Sequence, residues 1–241
     1  GDDVFGGDLL AAVAKQGVDV SHVATLNGSS TGMAFIAVEE SSENMIIVAS
    51  GANRQLTPAA LAGRAGLRAL LQDAGALLLQ LETPLPASIT AAQVARELRV
   101  PVVLNAAPCP PDPTPELGQL LQLTDALIVN ESEAIALAGS ADPAALLELG
   151  PAVAIVTLGG RGASAADKTG RVDVPGFAVP SVDTVGAGDT FCGQFALAFA
   201  SGAPLAEAVR RSCAAGALAT TTHGAQSAAA TPDRVAELLS H

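Results

Sequence analysis

The run Asp183-Thr184-Val185-Gly186-Ala187-Gly188-Asp189-Thr190-Phe191 sets two glycines between two carboxylates, directly ahead of the apolar, alanine-rich segment Cys192 to Ala200. Glycines let backbone N–H groups approach an anion, and a helix beginning here turns its positive end toward the same point. Asp189 adds a carboxylate there, so the run reads as a phosphate cradle with a base beside it. The same residues also suit an ordinary loop and helix N-cap. The rest of the chain decides between the two.

The elements that must position this loop follow from periodicity. The spacing predicts a helix from Gly7 to Gln16, closed by Gly17, then three short strands at Ser21 to Leu26, Gly32 to Glu39 and Glu43 to Ala49, the last two joined by a turn at Glu40-Ser41-Ser42. Antiparallel strands at about 21–49, outside any helix alternation, suggest a flap lying off a main sheet. From Thr57 onward helices are predicted at 58–71, 86–98, 115–121, 131–138 and 144–149, and strands at 76–80, 102–105, 126–129 and 152–157. Two short strands near Ala163 and Val172 and helices at 187–200, 205–220 and 232–239 complete the chain. Apolar strands alternating with helices make a mostly parallel sheet covered on both faces, in one α/β domain over residues 1–241.

Ligands of such sheets bind beyond the carboxyl ends of the strands. Polar or glycine residues stand there five times: Gln80 and Glu82, Asn105, Asn130 and Glu133, Thr157 and Gly159, and the loop Gly186 to Asp189. Other chemistries find less support. Asp167 stands where a Walker loop around Gly162 and Lys168 needs glycine, and Gly159, Gly160 and Gly162 lack the dinucleotide spacing. His22, His223 and His241 have no metal-ligand spacing, and no nucleophile elbow occurs. A net charge of −12 without any basic run disfavours nucleic acid and anionic membranes as partners. The three widely spaced cysteines, Cys109, Cys192 and Cys213, suit reduced, buried thiols in the cytoplasm.

With these residues in hand, the chain resembles the ribokinase-like, or PfkB, carbohydrate kinases over essentially its whole length. The most specific element is Val174-Pro175-Gly176-Phe177 followed by Val182 to Phe191. Gly1-Asp2-Asp3, Ser30-Thr31-Gly32, Ser50-Gly51-Ala52-Asn53, Gln80-Leu81-Glu82-Thr83-Pro84, Leu104-Asn105-Ala106-Ala107-Pro108, Asn130-Glu131-Ser132-Glu133, Thr157 to Gly162 and Gly224-Ala225-Gln226 follow in the family's order. The resemblance implies a three-layer α/β/α fold with a small antiparallel lid. It also implies transfer of the ATP γ-phosphoryl group to a primary sugar hydroxyl, D-ribose first among substrates. Asp189 then matches the catalytic base, which also contacts the sugar, and the N–H groups of Gly186, Ala187 and Gly188 match the anion hole. Asn130, Thr157, Gly159, Gly162 and Gly188 match nucleotide contacts, and Glu82 a sugar-side acid. Glu133 matches an acid acting on Mg²⁺ through water, while Asp183, Val185, Thr220 and Ala225 match a monovalent-cation (K⁺) site.

The resemblance implies further a homodimer joined through the lid strands, with apolar Met33, Phe35, Ile46 and Val48. Some family features are absent from the 241 residues: an opening strand with an Asn-x-Asp sugar contact, and a Gly-Gly-Lys-Gly-x-Asn clamp. Gly1-Asp2-Asp3 matches an internal family position, so an upstream segment is expected. Cys213 replaces an expected polar residue near adenine, and Gln226-Ser227-Ala228 departs from Gln-Pro-Ser beside the cation site. The alternatives are another sugar or nucleoside kinase of the family, or a non-catalytic nucleotide-binding fragment.

Overall fold

Strands that are apolar up to their last residue have no face to give to water, and here three of them, ending in Asn105, Asn130 and Thr157, lie side by side in a sheet. The computed structural model describes residues 1–38, 44–62, 66–225 and 230–240. Its helices are α1 (Val4–Lys15), α2 (Pro58–Ala62), α3 (Leu67–Gln72), α4 (Leu85–Leu98), α5 (Pro115–Gln122), α6 (Glu131–Ala138), α7 (Pro143–Leu147), α8 (Ala187–Ala200), α9 (Leu205–Ala219) and α10 (Pro232–Leu239). Its strands are β1 (Met33–Val38), β2 (Asn44–Ala49), β3 (Leu77–Leu79), β4 (Val102–Asn105), β5 (Ala126–Asn130), β6 (Val153–Thr157), β7 (Gly162–Asp167) and β8 (Gly170–Pro175).

Strands β3 to β8 form one sheet in sequence order, parallel from β3 through β6 and antiparallel at β7 and β8. Alternation along the strands divides two cores. Val102, Leu104, Leu127, Val129, Ala154 and Val156 face the layer that includes α4 and α5, whereas Val103, Ala126, Ile128, Val153 and Ile155 face α8 and α9. The architecture is thus the expected three-layer α/β/α sandwich. Strands β1 and β2 pair antiparallel as a separate two-stranded sheet, the expected flap.

Three expectations change. Residues 21–26 are not a strand: Asp19 Oδ1 accepts the Ser21 N–H and Val20 O accepts the Val23 N–H, so local turns occupy donors that a ladder would need. The first helix begins earlier, at Val4, because the Asp3 side chain caps it by accepting from Gly6 N. The single helix foreseen over 58–71 is instead α2 and α3, two separate helices. The turn at Glu40-Ser41-Ser42 and the run Gln226-Ser227-Ala228 lie outside the described residues, as does the side chain of Ile46. Among the described residues no helix is long and apolar enough to cross a membrane.

Phe195 is the largest side chain with no exposed surface, and its ring stacks on Phe199 with centroids 5.5 Å apart. It fastens α8 to the sheet, and α8 carries the glycine-rich loop at its start. Phe195→Ala is expected to lower the unfolding free energy by about 3–5 kcal/mol in a denaturant titration.

Candidate functional site

Parallel register sets Asn130 opposite Thr157 and Asn105 opposite Ile128, so three polar strand ends reach one rim. Two of them are tied down. Asn105 Nδ2 donates to Ile128 O at 3.1 Å, and Thr157 Oγ1 donates to Val129 O at 3.3 Å. These bonds hold the rim side chains beside β5 while leaving their remaining acceptor capacity facing outward.

Asn130 and Glu133 form a capping box at the start of α6. Asn130 Oδ1 accepts the Glu133 N–H at 2.9 Å, and Glu133 Oε2 accepts the Asn130 N–H at 2.8 Å. The N-x-x-E spacing therefore has a local structural role whatever else it does. Burial raises the Glu133 carboxyl above the ordinary glutamate range, with the Asn130 N–H pulling in the opposite direction. Beside it, Glu131 makes an ion pair with Arg161, which joins the helix start to the turn Gly159–Arg161.

Gly159 opens that turn and Gly162 ends it. At Gly162, φ is +100° and a Cβ would stand 2.1 Å from Val174 O, so the crossing of β7 and β8 admits no side chain. At Gly159 and Gly160, by contrast, a Cβ would meet nothing within 4 Å, so the backbone just beyond β6 is open there to a ligand lying against it.

The loop from Val182 to Gly186 is held by the segment after α9. Val182 N and Asp183 N both donate to Thr220 O, at 2.8 and 3.2 Å. The Asp183 carboxylate accepts Val185 N at 3.0 Å on Oδ1 and Gly224 N at 2.8 Å on Oδ2. Those two bonds, Gly224 first, lower its pKa. Gly186 caps α8 in the left-handed region at φ +78°, and a Cβ there would press on Ala225 Cα and O at 3.1 Å. Asp183, Val185, Thr220 and Ala225 are thus gathered in one place. Thr220 O already accepts two N–H groups, the capacity of one carbonyl. Thr222 Oγ1, buried and without a hydrogen-bond partner among the described residues, is a further oxygen that no motif singles out.

No side chain caps α8; Ala187 N donates to Thr184 O at 3.3 Å, and among the described residues the N–H groups of Gly186 and Gly188 remain available at its positive end, where the exposed Asp189 sits. Cys192, one turn on, reports how the acids converge. Burial pushes its thiol up to about 12, and the charges of Asp189 and Glu133 add to that shift. Both carboxylates therefore act on one point beneath the loop. Glu82 stands apart, exposed in the connection from β3 to α4, and among the described residues no hydrogen bond or ion pair joins it to the loop. Its neighbour Thr83 lines a cavity of about 500 Å³ together with Leu10, Thr31, Asn53 and Leu61. Thr31 and Asn53 had been noted only as parts of motifs, and their place on this wall is a structural finding.

A family model, the pfkB family carbohydrate kinases, matches residues 1–232. The ribokinase of Haemophilus influenzae is 38% identical over 250 residues, covering 100% of this chain and 79% of that protein. The ribokinase of Schizosaccharomyces pombe is 34% identical over 240 residues, covering 94% and 73%. Among solved structures, Arabidopsis thaliana ribokinase complexed with ribose and ATP superposes with a TM-score of 0.90 at 29% identity, covering 100% of this chain and 80% of that one.

The lowered pKa of Asp183 makes the loop sensitive to acid in one direction. Stabilisation from its two N–H bonds is complete above the ordinary aspartate range near pH 4 and is lost as pH falls through the lower, folded value. Amide exchange at Val185 and Gly224, corrected for its intrinsic pH dependence, should quicken as pH falls below about 4, through the lowered folded value. Asp183→Asn should remove that step.

Proposed function

The chain belongs to the pfkB family of carbohydrate kinases, and on that premise we propose that it transfers the γ-phosphoryl group of ATP to the primary hydroxyl of a pentose, D-ribose before others. The observation that carries the reading is the start of α8 without a side-chain cap, where the N–H groups of Gly186 and Gly188 and the Asp189 carboxylate lie together. Phosphoryl transfer is mostly positioning and charge stabilisation. Asp189 orients the sugar hydroxyl and takes its proton as the hydroxyl oxygen bonds to the γ-phosphorus and the bond from that phosphorus to the β–γ bridging oxygen breaks, ADP leaving. The N–H groups of Gly186 and Gly188, with that of Ala187 once it exchanges its long bond to Thr184 O for the phosphoryl oxygens, receive the charge on the transferred group, where one such donor is worth about 3 kcal/mol in the transition state.

ATP on this reading lies along Asn130, Thr157, Gly159, Gly162 and Gly188, against the open backbone just beyond β6. Glu82 and Asp189 contact the sugar, which sits toward the cavity bordered by Thr83. Glu133 holds Mg²⁺ through water. Its half-buried carboxylate has one oxygen engaged in the helix cap, which leaves the other for that role. Bound Mg²⁺ would supply neutralisation of phosphate charge beside two acids. Asp183, the Val185 carbonyl and the backbone between Thr220 and Ala225, whose Thr220 carbonyl instead anchors the loop through Val182 N and Asp183 N, hold K⁺, and the Thr222 hydroxyl, without a partner among the described residues, fits the oxygen-rich environment such an ion needs. The protein acts in the cytoplasm as a homodimer joined through β1 and β2, whose Phe35 and Val48 are exposed. A two-stranded ribbon has too little core of its own to leave such a face in water.

ADP release in the presence of D-ribose and a panel of other pentoses, hexoses and nucleosides tests the reaction. Asp189→Asn should lower kcat by at least about 10²-fold with ATP affinity little changed. Turnover near that of the unaltered chain would remove Asp189 from the chemistry. ATP binding that no sugar converts into ADP release would favour a nucleotide-binding role instead. Replacing Na⁺ by K⁺ should raise activity, and Asp183→Ala should abolish the response. Equal rates in the two ions would remove the cation from the mechanism.

A further inference from the structure

The flap formed by β1 and β2 is poorly anchored by packing. Its two strands pack principally against each other, and Met33, Phe35 and Val48 are exposed. A two-stranded ribbon in that situation takes its direction from its root. The root is a knot of three chain passes: Gly1 to Asp3, Gly28 to Gly32 and Ser50 to Gln55. Asp2 N donates to Ser29 O at 2.8 Å, Ala52 N donates to Ser30 O at 2.8 Å, and Gln55 Nε2 donates to Ser29 Oγ at 2.9 Å.

One carboxylate closes the knot. Asp3 Oδ1 accepts Gly6 N at 2.9 Å, which caps α1, and accepts the Thr31 hydroxyl as well. Asp3 Oδ2 accepts Thr31 N at 2.7 Å. Thr31 is nearly buried, lies two residues before β1 begins, and lines the cavity that Thr83 also borders. Three charge-assisted bonds on one side chain are more than an N-cap requires.

We propose that Asp3 is the positioning residue of the flap, fixing the angle at which β1 leaves the domain by binding Thr31 while it caps α1, and so setting the shape of the cavity at the flap's root. The bonds from Thr31 and Gly6 also hold the Asp3 carboxyl down to about 2, so the clamp stays charged throughout the physiological range. The arrangement is selective for a carboxylate. All three partners are donors, and an asparagine amide would turn its own N–H₂ toward one of them. The consequence for sugar handling rests on the kinase reading given above; the placement of the flap does not.

Hydrogen exchange on the full chain separates the two. Asp3→Asn and Thr31→Val should speed exchange of the amides in 29–38 and 44–53 by about tenfold, the scale of a lost charge-assisted bond, with β4, β5 and β6 unchanged. Thr31→Ser, which keeps the hydroxyl, should exchange like the unaltered chain. Unchanged exchange in the flap overturns the proposal, and so does an equal rise in β4 to β6, because Asp3 would then serve general stability. In the pentose assay the same variants should raise the sugar KM about tenfold, with kcat and the KM for ATP within about twofold. A uniform fall in kcat with no change in sugar KM would count against positioning. If the unaltered chain phosphorylates no sugar, the kinase reading fails and the exchange measurement alone decides the role of Asp3.

Discussion

A parallel ladder buried on both faces leaves polar side chains one place to stand, the ends of its strands. Val102, Val103, Leu104, Leu127, Val129, Ala154, Ile155 and Val156 have no exposed surface, so the middle of the sheet is closed to chemistry. Register does the rest. Pairing of Asn130 with Thr157, and of Asn105 with Ile128, brings their side chains to a common edge without any long-range contact between them. The loop before α8 joins that edge because Phe191, Cys192 and Phe195 seat its helix against Ile128 and Ile155. The geometry of the site is therefore inherited from hydrophobic burial, and the polar bonds at the rim only trim it.

That dependence explains what could be read from the sequence. Continuous apolar runs such as Val102-Val103-Leu104 and Leu127-Ile128-Val129 announce strands covered on both faces, and the polar residue ending each run announces the rim. Residues 21–26 misled because the β-branched Val23 and Thr25, two apart, favour a strand, whereas the winning interactions were the Asp19 and Val20 turns. The helix foreseen at 58–71 shows the same limit: no Pro or Gly–Pro pair marks the break, only Gly63 and Gly66 within an otherwise helical pattern. Thr222 was not legible at all. A threonine shortly after a helix looks like any solvated turn residue, and only its surroundings reveal that the hydroxyl is buried and without a partner among the described residues.

The Asn130–Glu133 pair shows why a motif can be legible and still ambiguous. The residue types and spacing that suit an acid near a metal are those of a capping box, and the structure forms the box. The two roles are compatible because a carboxylate has two oxygens and the cap uses one. They also pull on ionisation differently. Burial penalises the charged form of Glu133, whereas the cap N–H and the helix start favour it. Its raised pKa says that burial wins, so the charged carboxylate costs stability that is recovered as pH falls from the folded value toward the unfolded one. A nearby cation would reverse that balance.

The depth of Cys192 has a bearing on how this protein meets oxidants. Its residue is almost wholly buried, and with burial first and the charges of Asp189 and Glu133 adding to it, the thiol is pushed up to about 12, so the thiolate is scarce at neutral pH. Cys213, also buried, is held up to about 11 by burial alone. Peroxide and disulfides attack or are attacked through the thiolate, so neither sulfur offers a handle for sulfenylation or glutathione capping. Burial, with the two carboxylates adding to it, therefore keeps a cysteine one helical turn from the loop in its unreactive thiol form.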